Sequence, residues 1–131
     1  MDTKQLKIAL APVFSAYQEE IVAAYLFGST AKGINSLTSD IDIAVLLRNR
    51  DKKSGAALKF RLYADLCRQL KRNDIDVVLL DLSGNLILND EIVRNGQVLY
   101  VSDDVAREDF ELKVLHSCTD FKLQRLYAMG V

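Results

Sequence analysis

Two kinds of hydrophobic pattern alternate along the chain, and together they predict eight elements of secondary structure. Apolar residues three and four positions apart predict helices at residues 5–17 and 54–70. A third helix is predicted at residues 85–94, which end at a helix stop signal, and a last helix is predicted to be capped by Ser102 or Asp103. Shorter runs that are continuously apolar, or that alternate with acidic residues, predict strands at 21–27, 40–47, 75–80 and 97–101. The order helix, strand, strand, helix, strand, helix, strand, helix predicts an α+β fold, with helices covering one side of a small sheet.

Length and composition indicate one folded domain that covers residues 1–131. The chain has the size of an ordinary domain, and half of its 131 residues are hydrophobic, which is too many for a disordered protein. No apolar run reaches the roughly 18 residues of a membrane-spanning helix, and no secretory signal is readable at the N-terminus. We therefore expect a cytoplasmic protein without a membrane partner.

The cysteines and the histidine do not form a recognisable site. The chain has two cysteines, Cys67 and Cys118, and one histidine, His116. A zinc site made of cysteine and histidine needs about four such ligands. All three residues are therefore interpreted as structural.

Charge is unevenly distributed although the net charge is only −1. Residues 48–72 carry nine basic and two acidic side chains, whereas residues 73–111 carry two basic and ten acidic ones. The basic segment could bind a polyanion, but a solvated helix surface is favoured because the segment lacks interleaved aromatic residues for base stacking. Phe60 and Tyr63 within it are predicted to lie in the core, and no direct nucleic-acid binding is expected.

The segment between the first two predicted strands contains the first candidate for chemistry. It extends from Gly28 to Asp42 and reads GSTAKGINSLTSDID. Gly28 and Ser29 directly follow a strand, so backbone N–H groups and the Ser29 hydroxyl can converge on an anion. A turn of this kind is common and does not by itself identify a phosphate site.

Three aspartates are the second candidate. Asp40 and Asp42 are one residue apart on a strand, so both side chains project from one face, while the apolar residues between and after them fix the register. Asp76 repeats the pattern on the strand 75–80, which can lie beside the first through a strand–helix–strand connection. Three adjacent carboxylates repel one another without a cation, and such hard oxygen ligands favour Mg²⁺ or Mn²⁺. Beside a phosphate-holding turn, they are suited to phosphoryl or nucleotidyl transfer.

Residues 28–45 resemble the G-S-x-A-x-G, spacer, S-D-x-D signature of the minimal nucleotidyltransferases, a branch of the DNA polymerase beta-like superfamily. The matching residues are Phe27, Gly28, Ser29, Ala31, Gly33, Ser39, Asp40 and Asp42. Asp76 stands where the family places its third carboxylate. Many members have arginine at the position of Lys32. Lysine keeps the positive charge but cannot form the bidentate contact with phosphate that arginine forms.

The resemblance implies a fold, a site and a reaction. The fold would be a small mixed sheet with helices packed against it. Gly28 and Ser29 would hold the triphosphate of ATP, with Lys32 and Ser39 as further phosphate or loop contacts. By the same resemblance, two Mg²⁺ ions would be bound by Asp40, Asp42 and Asp76. A nucleoside monophosphate, AMP by expectation, would pass to an acceptor hydroxyl.

The resemblance also suggests a partner. Larger relatives carry extra domains that hold the acceptor, whereas a chain of this length is expected to receive its acceptor from another molecule. The stand-alone members resemble antitoxins that attach AMP to a tyrosine of a HEPN-domain toxin. Two alternatives stay open, namely an antitoxin that acts by stoichiometric binding without catalysis, and a nucleotidyltransferase of the aminoglycoside type that modifies a small molecule. The sequence does not decide whether the chain forms homo- or hetero-oligomers.

Overall fold

The computed structural model describes residues 3–28, 41–49, 51–82 and 84–128. These residues form the predicted helices and strands in the predicted order. The elements are α1 (Thr3–Ala16), β1 (Ile21–Phe27), β2 (Ile41–Leu47), α2 (Lys52–Leu70), β3 (Ile75–Leu79), α3 (Leu86–Asn95), β4 (Gln97–Val101) and α4 (Asp104–Ala128). The described part of the second strand begins at Ile41, and Asp40, the predicted first residue of this strand, lies outside the described residues.

The four strands form one mixed sheet in the order β3-β2-β1-β4. Strand β1 pairs antiparallel with β2 on one side and with β4 on the other. Strands β2 and β3 are parallel, and α2 provides the crossover that a parallel pair requires. The predicted α+β fold with a small mixed sheet is therefore confirmed.

Helices cover both faces of the sheet, so the expectation that they cover one side is wrong. On the first face, α1 and α2 pack against the strands and fully bury Leu10, Phe14 and Leu62. On the second face, Ile92 of α3 and Phe110 of α4 are fully buried. The reason lies in β1, which is apolar on both faces and would leave apolar area in water if either face were open.

Polar side chains cap the starts of three helices. Asp51 caps α2 and accepts a first-turn backbone N–H at 3.3 Å. Asn85 caps α3 and accepts two backbone N–H groups at 3.1 Å each. Asp103 precedes α4 and accepts a backbone N–H at 3.0 Å, so Asp103 rather than Ser102 is the cap. These bonds satisfy donors that have no partner inside the helix.

The basic segment contains two aromatic residues, Phe60 and Tyr63, that are predicted to lie in the protein core, and the structure places them differently. Tyr63 is half-buried beside the core between α1 and α2. Phe60 is 74% exposed, so its predicted burial is wrong. Helix α2 buries the stripe of Leu58, Leu62 and Leu66, and Phe60 lies on the other side of the helix from that stripe.

Cys67 and His116 lie in different environments. Cys67 is partly buried as a free thiol, and His116 is exposed. The side chain of Cys118 lies outside the described part of the structure.

None of the helices in the described ranges combines the length and hydropathy that a bilayer crossing requires.

Candidate active site

Two of the three predicted carboxylates lie next to each other at one end of the sheet. Asp42 is the second residue of β2 and Asp76 is the second residue of β3, and the two are register partners in the parallel pair. Neighbouring strands are about 4.8 Å apart, so the two side chains start within that distance of each other. Their flanking residues Ile41 and Ile75 are buried in the core on the first face. Both aspartates therefore project from the second face of the sheet.

The local environment of the two aspartates differs. Asp42 lies on an inner strand, between β1 and β3, and is half-buried. Asp76 lies on the outermost strand of the sheet and is exposed. Asp42 therefore belongs to the inner part of the site, and Asp76 to the part that an incoming molecule reaches first.

A salt bridge and a backbone hydrogen bond fix the start of the strands that carry the two carboxylates. The Ile41 N–H donates to the carbonyl oxygen of Asp74 at 3.0 Å. The Asp74 side chain forms a bidentate ion pair with Arg72, and the hydrogen bonds from that guanidinium lower the pKa of Asp74. Asp74 is therefore engaged with Arg72, and its backbone sets the register that places Asp42 opposite Asp76.

Gly28 lies directly against the Asp42 carboxylate. It follows β1, whose last residue Phe27 pairs with Asp42. Its φ of +77° is in the left-handed region that favours glycine. A Cβ at this position would overlap Oδ2 of Asp42 and lie 3.2 Å from its Cγ. The glycine thus provides the room in which the Asp42 carboxylate lies.

This contact joins the two halves of the sequence motif. The sequence predicts a phosphate-holding turn at Gly28 but does not predict its contact with Asp42. A glycine between a strand and a polar loop signals a special backbone conformation, but which side chain fills the space depends on the pairing of β1 with β2.

Four of the predicted site residues cannot be placed. Ser29, Lys32, Ser39 and Asp40 lie outside the described residues. Their assigned roles in phosphate and metal binding therefore stay predictions. Among the residues that the structure does describe, no three His, Cys, Asp or Glu side chains gather into a metal-binding group. The predicted metal site consists of Asp42, Asp76 and Asp40, and Asp40 is not among the described residues.

The chemistry of the two placed carboxylates fits a divalent cation. Mg²⁺ takes hard oxygen donors, is bound by one or two carboxylates and keeps further positions for water or substrate phosphates. Asp42 and Asp76 offer such donors from adjacent strands in fixed register. The arrangement can thus hold a cation between the inner strand and the exposed edge of the sheet.

A groove of about 470 Å³ extends from Asp76 along β3. Residues 76–80 line one side of it, and Gly55, Ala56 and Lys59 of α2 line another. Asp81, just after the strand, lines the far part of the groove. The groove is not predicted from the sequence, because the pattern of α2 indicates a helix but does not indicate how far that helix lies from an edge strand.

Comparisons with known proteins agree with this geometry. The family model of polymerase beta nucleotidyltransferases matches residues 9–105, which is more than half of the chain. No curated protein matches the sequence.

Several solved structures that resemble the chain come from toxin–antitoxin complexes. A chain of a toxin–antitoxin crystal structure with AMP-PNP has 25% sequence identity and a TM-score of 0.72, with 95% of each chain covered. A chain of the Shewanella oneidensis complex between a tri-AMPylated HEPN toxin and an MNT antitoxin has 22% identity and a TM-score of 0.68, covering 98% of this chain and 96% of that one. A chain of a MntA–HepT toxin–antitoxin structure has 22% identity and a TM-score of 0.66, covering 97% and 96%. The last two similarities support the fold.

The family match, the sheet topology and the fold similarity agree with the resemblance found in the Gly28-to-Asp42 motif. The chain belongs to the polymerase beta nucleotidyltransferase family.

Proposed function

We propose that this protein is a cytoplasmic, Mg²⁺-dependent nucleotidyltransferase that moves AMP from ATP to a tyrosine hydroxyl of a HEPN toxin and thereby acts as an antitoxin. The observation that carries the proposal is the in-register pair of Asp42 and Asp76 beside Gly28. Support for the nucleotide and the partner comes from the 25% identical chain of a toxin–antitoxin structure with AMP-PNP.

The proposed roles of the side chains combine the positions of Gly28, Asp42 and Asp76 with the family resemblance of the other residues. Asp42 and Asp76, with Asp40, would hold Mg²⁺, which when bound neutralises phosphate charge. Gly28 and Ser29 would hold the triphosphate, and Lys32 and Ser39 would contact phosphate or the loop. Asp76 is the exposed member of the pair, so it is placed to accept the proton of the incoming hydroxyl.

The proposed reaction needs no reactant besides ATP and the acceptor hydroxyl. The acceptor oxygen forms a bond to the α-phosphorus of ATP, and the bond between the α-phosphorus and its bridging oxygen to the β-phosphate breaks. Pyrophosphate leaves, and AMP remains as a phosphodiester on the acceptor. Asp42 lies further inside, against Gly28, so its part is to position the phosphate side of the reaction.

The test is transfer of label from α-labelled ATP to a purified HEPN-domain toxin, with mass spectrometry to locate AMP on tyrosine. Loss of a metal-binding carboxylate removes several kcal/mol of charge stabilisation. Asp42→Asn and Asp76→Asn should therefore each reduce labelling by about 100-fold or more. Asp109→Asn is a matched control, because Asp109 lies on α4 and pairs with Lys113 at 2.9 Å.

Three outcomes would overturn parts of the proposal. Labelling that survives both aspartate variants would refute the assignment of the site. Absence of labelling, with full inhibition of the toxin at equal dose, would instead show an antitoxin that acts by binding. Transfer of AMP to a small molecule and not to the protein would place the chain with the nucleotidyltransferases of antibiotics or metabolites.

A further inference from the structure

The solvent side of α2 carries an exposed aromatic residue, Phe60. Among the large apolar residues that are exposed in the described part of the chain, Phe60 is the aromatic one. It lies on the other side of the helix from Leu58, Leu62 and Leu66, which pack on the sheet. Single exposed apolar residues are common, so Phe60 indicates a contact surface only if its surroundings fit one.

The residues that surround Phe60 on the helix surface are small. Residues three and four positions apart are neighbours on a helix. Of the four such neighbours of Phe60, three are Ala56, Ala57 and Ala64, and the first two of these are exposed. The distance at which two helices pack depends on the side chains at their contact. Another helix can therefore approach α2 closely here and enclose the phenyl ring.

The rim of this patch is basic. Exposed cations lie three or four positions from the alanines, and they are Lys53, Arg61 and Arg68. The acidic residue within α2 is Asp65, and it is already bonded to Arg68 and to the Tyr17 hydroxyl. Among the described residues, neither Lys53 nor Arg61 has an acidic partner in a salt bridge. The α2 outer surface is defined by these seven residues, namely Lys53, Ala56, Ala57, Phe60, Arg61, Ala64 and Arg68.

The shape and charge of the α2 outer surface fit a protein partner with an acidic helix. An apolar centre with an aromatic anchor and a polar rim is the usual anatomy of a protein interface. The 19 residues of α2 span about 28 Å, which is long enough to pack along another helix. Cations at the rim favour carboxylates on the facing surface. A two-fold contact between two copies of this chain would instead set the same cations against each other, so a second copy is disfavoured.

A single-stranded nucleic acid fits this surface less well. Proteins that bind such strands combine a basic groove with aromatic side chains on which successive bases stack. The α2 outer surface is the convex side of a helix, and Phe60 is its one aromatic residue. Tyr63 beside it is half-buried, and its hydroxyl donates to the Asn73 carbonyl oxygen at 3.2 Å. The surface therefore lacks a row of rings for stacking.

From these observations we infer that the α2 outer surface is a docking surface for the toxin, and that its occupant is a helix with acidic side chains around an apolar pocket for Phe60. The identity of the partner rests on the proposed function. Helix α2 packs on the first face of the sheet, whereas Asp42 and Asp76 project from the second, so this surface supplies affinity and does not touch the reacting atoms. The last residue of α2 precedes Asp76 by six positions, a distance of at most about 22 Å. A partner held by α2 thus stays beside the candidate active site.

The affinity of the full chain for a purified HEPN-domain toxin tests the inference. Phe60→Ala removes the ring and should weaken binding by about tenfold or more, as aromatic anchors at interface centres do. Leu112→Ala is the matched control, because Leu112 is also exposed but lies on α4, on the other face of the sheet, and its loss should leave the affinity unchanged. Urea unfolding verifies that both variants are folded. Unchanged affinity in folded Phe60→Ala, or an equal loss in Leu112→Ala, would overturn the inference.

The salt dependence of binding tests the charge of the occupant. Raising NaCl from about 50 mM to about 500 mM should weaken toxin binding by the unaltered chain, because salt screens exposed charges. The double variant Lys53→Gln with Arg61→Gln lacks two rim cations and should show a smaller salt effect. The same salt effect in both proteins would refute an acidic occupant.

The proposed reaction and the docking surface fail in different ways. If the unaltered chain transfers no AMP but Phe60→Ala still weakens toxin binding, the reaction fails and the docking surface stands. If AMP is transferred and Phe60→Ala binds the toxin as tightly as the unaltered chain, the reaction stands and the docking surface is rejected.

Two further measurements identify another occupant. Self-association in sedimentation that Phe60→Ala abolishes, with toxin affinity unchanged, would assign the surface to a second copy of this chain. Binding of a fluorescent single-stranded oligouridylate that Phe60→Ala abolishes, again with toxin affinity unchanged, would assign it to nucleic acid. Either result would overturn the inference.

Discussion

Replacing Gly28 with alanine perturbs the candidate site at a position where the backbone lies directly against the Asp42 carboxylate. The φ of +77° is unfavourable for a residue with a Cβ, and such a conformation costs about 1–2 kcal/mol. The methyl group would also overlap Oδ2 of Asp42 and lie 3.2 Å from its Cγ, whereas carbon atoms prefer about 3.5–4.0 Å. Both effects act in the same variant, so they must be separated.

Gly28→Asn separates the backbone cost from the displacement of Asp42. Asparagine tolerates the left-handed region better than alanine, so it should lose less stability. Its Cβ occupies the same position, so it should displace the Asp42 carboxylate equally. A displacement on the order of 1 Å can cost about 100-fold in rate, so both variants should lose about that much transfer activity.

Two measurements check these expectations. With a urea slope of about 2 kcal/mol per molar, a loss of 1–2 kcal/mol lowers the unfolding midpoint of Gly28→Ala by about 0.5–1 M, and Gly28→Asn should fall less. Transfer of labelled AMP under saturating ATP measures the second effect. Full activity in a folded Gly28→Ala would refute the reasoning that the glycine makes room for Asp42. Equal midpoints for the two variants would refute the backbone contribution.

Other expected outcomes concern the folded core and the helix ends. Phe14→Ala should lose about 3–5 kcal/mol of unfolding free energy, whereas Phe60→Ala, at a residue that is 74% exposed, should change it by less than about 0.5 kcal/mol; similar losses in urea titrations would contradict their assigned positions. Asn85→Ala removes the cap of α3 and should cost about 1 kcal/mol in the same titration, and no loss would mean that the two capping bonds are not needed. A backbone N–H of α4 and the Arg48 guanidinium lower the pKa of Asp103 below its usual value of about 3.9. Its stabilisation is thus fully present above that pH and is lost as the pH falls through the lowered pKa of the folded state. The stability difference between the unaltered chain and Asp103→Ala should shrink in that acidic range, and a constant difference from pH 6 to the acid limit of folding would contradict this reasoning.

The elements of the fold could be predicted because local patterns and tertiary burial agree along most of the chain. The apolar run of β1 and the Leu58, Leu62 and Leu66 stripe of α2 have the periods of a strand and a helix, and the structure buries them accordingly. The covering of both sheet faces was implicit in β1, since a continuous apolar run has no side suited to water. The predicted burial of Phe60 is wrong because the angular position of a residue on the helix decides its burial, and its residue type alone does not.

The candidate site could be predicted only as far as strand periodicity reaches. Alternation placed Asp42 and Asp76 away from the core on their own strands, and the parallel pairing of these strands brings them together. The contact between Gly28 and the Asp42 carboxylate could not be read from periodicity, since it depends on a left-handed φ and on the register of β1 with β2. The groove along β3 depends on the distance between α2 and an edge strand, which no local pattern encodes.

The position of the aspartates explains how a sheet that is covered on both faces can carry acidic residues on its strands. On the second face of β2, Asp42 is half-buried while Ala44 is fully buried, and on β3 exposure falls from Asp76 through Val78 to Leu80. Among the described residues of the two strands, those on this face are therefore most exposed at the strand starts. A carboxylate at that end keeps contact with water and avoids the desolvation cost of the interior, while the apolar residues further along hold both strands in register. A shift of one residue would move the aspartates to the first face and expose the isoleucines beside them. The core that stabilises the fold thus also holds the two carboxylates opposite each other, in the register on which the proposed nucleotidyl transfer depends.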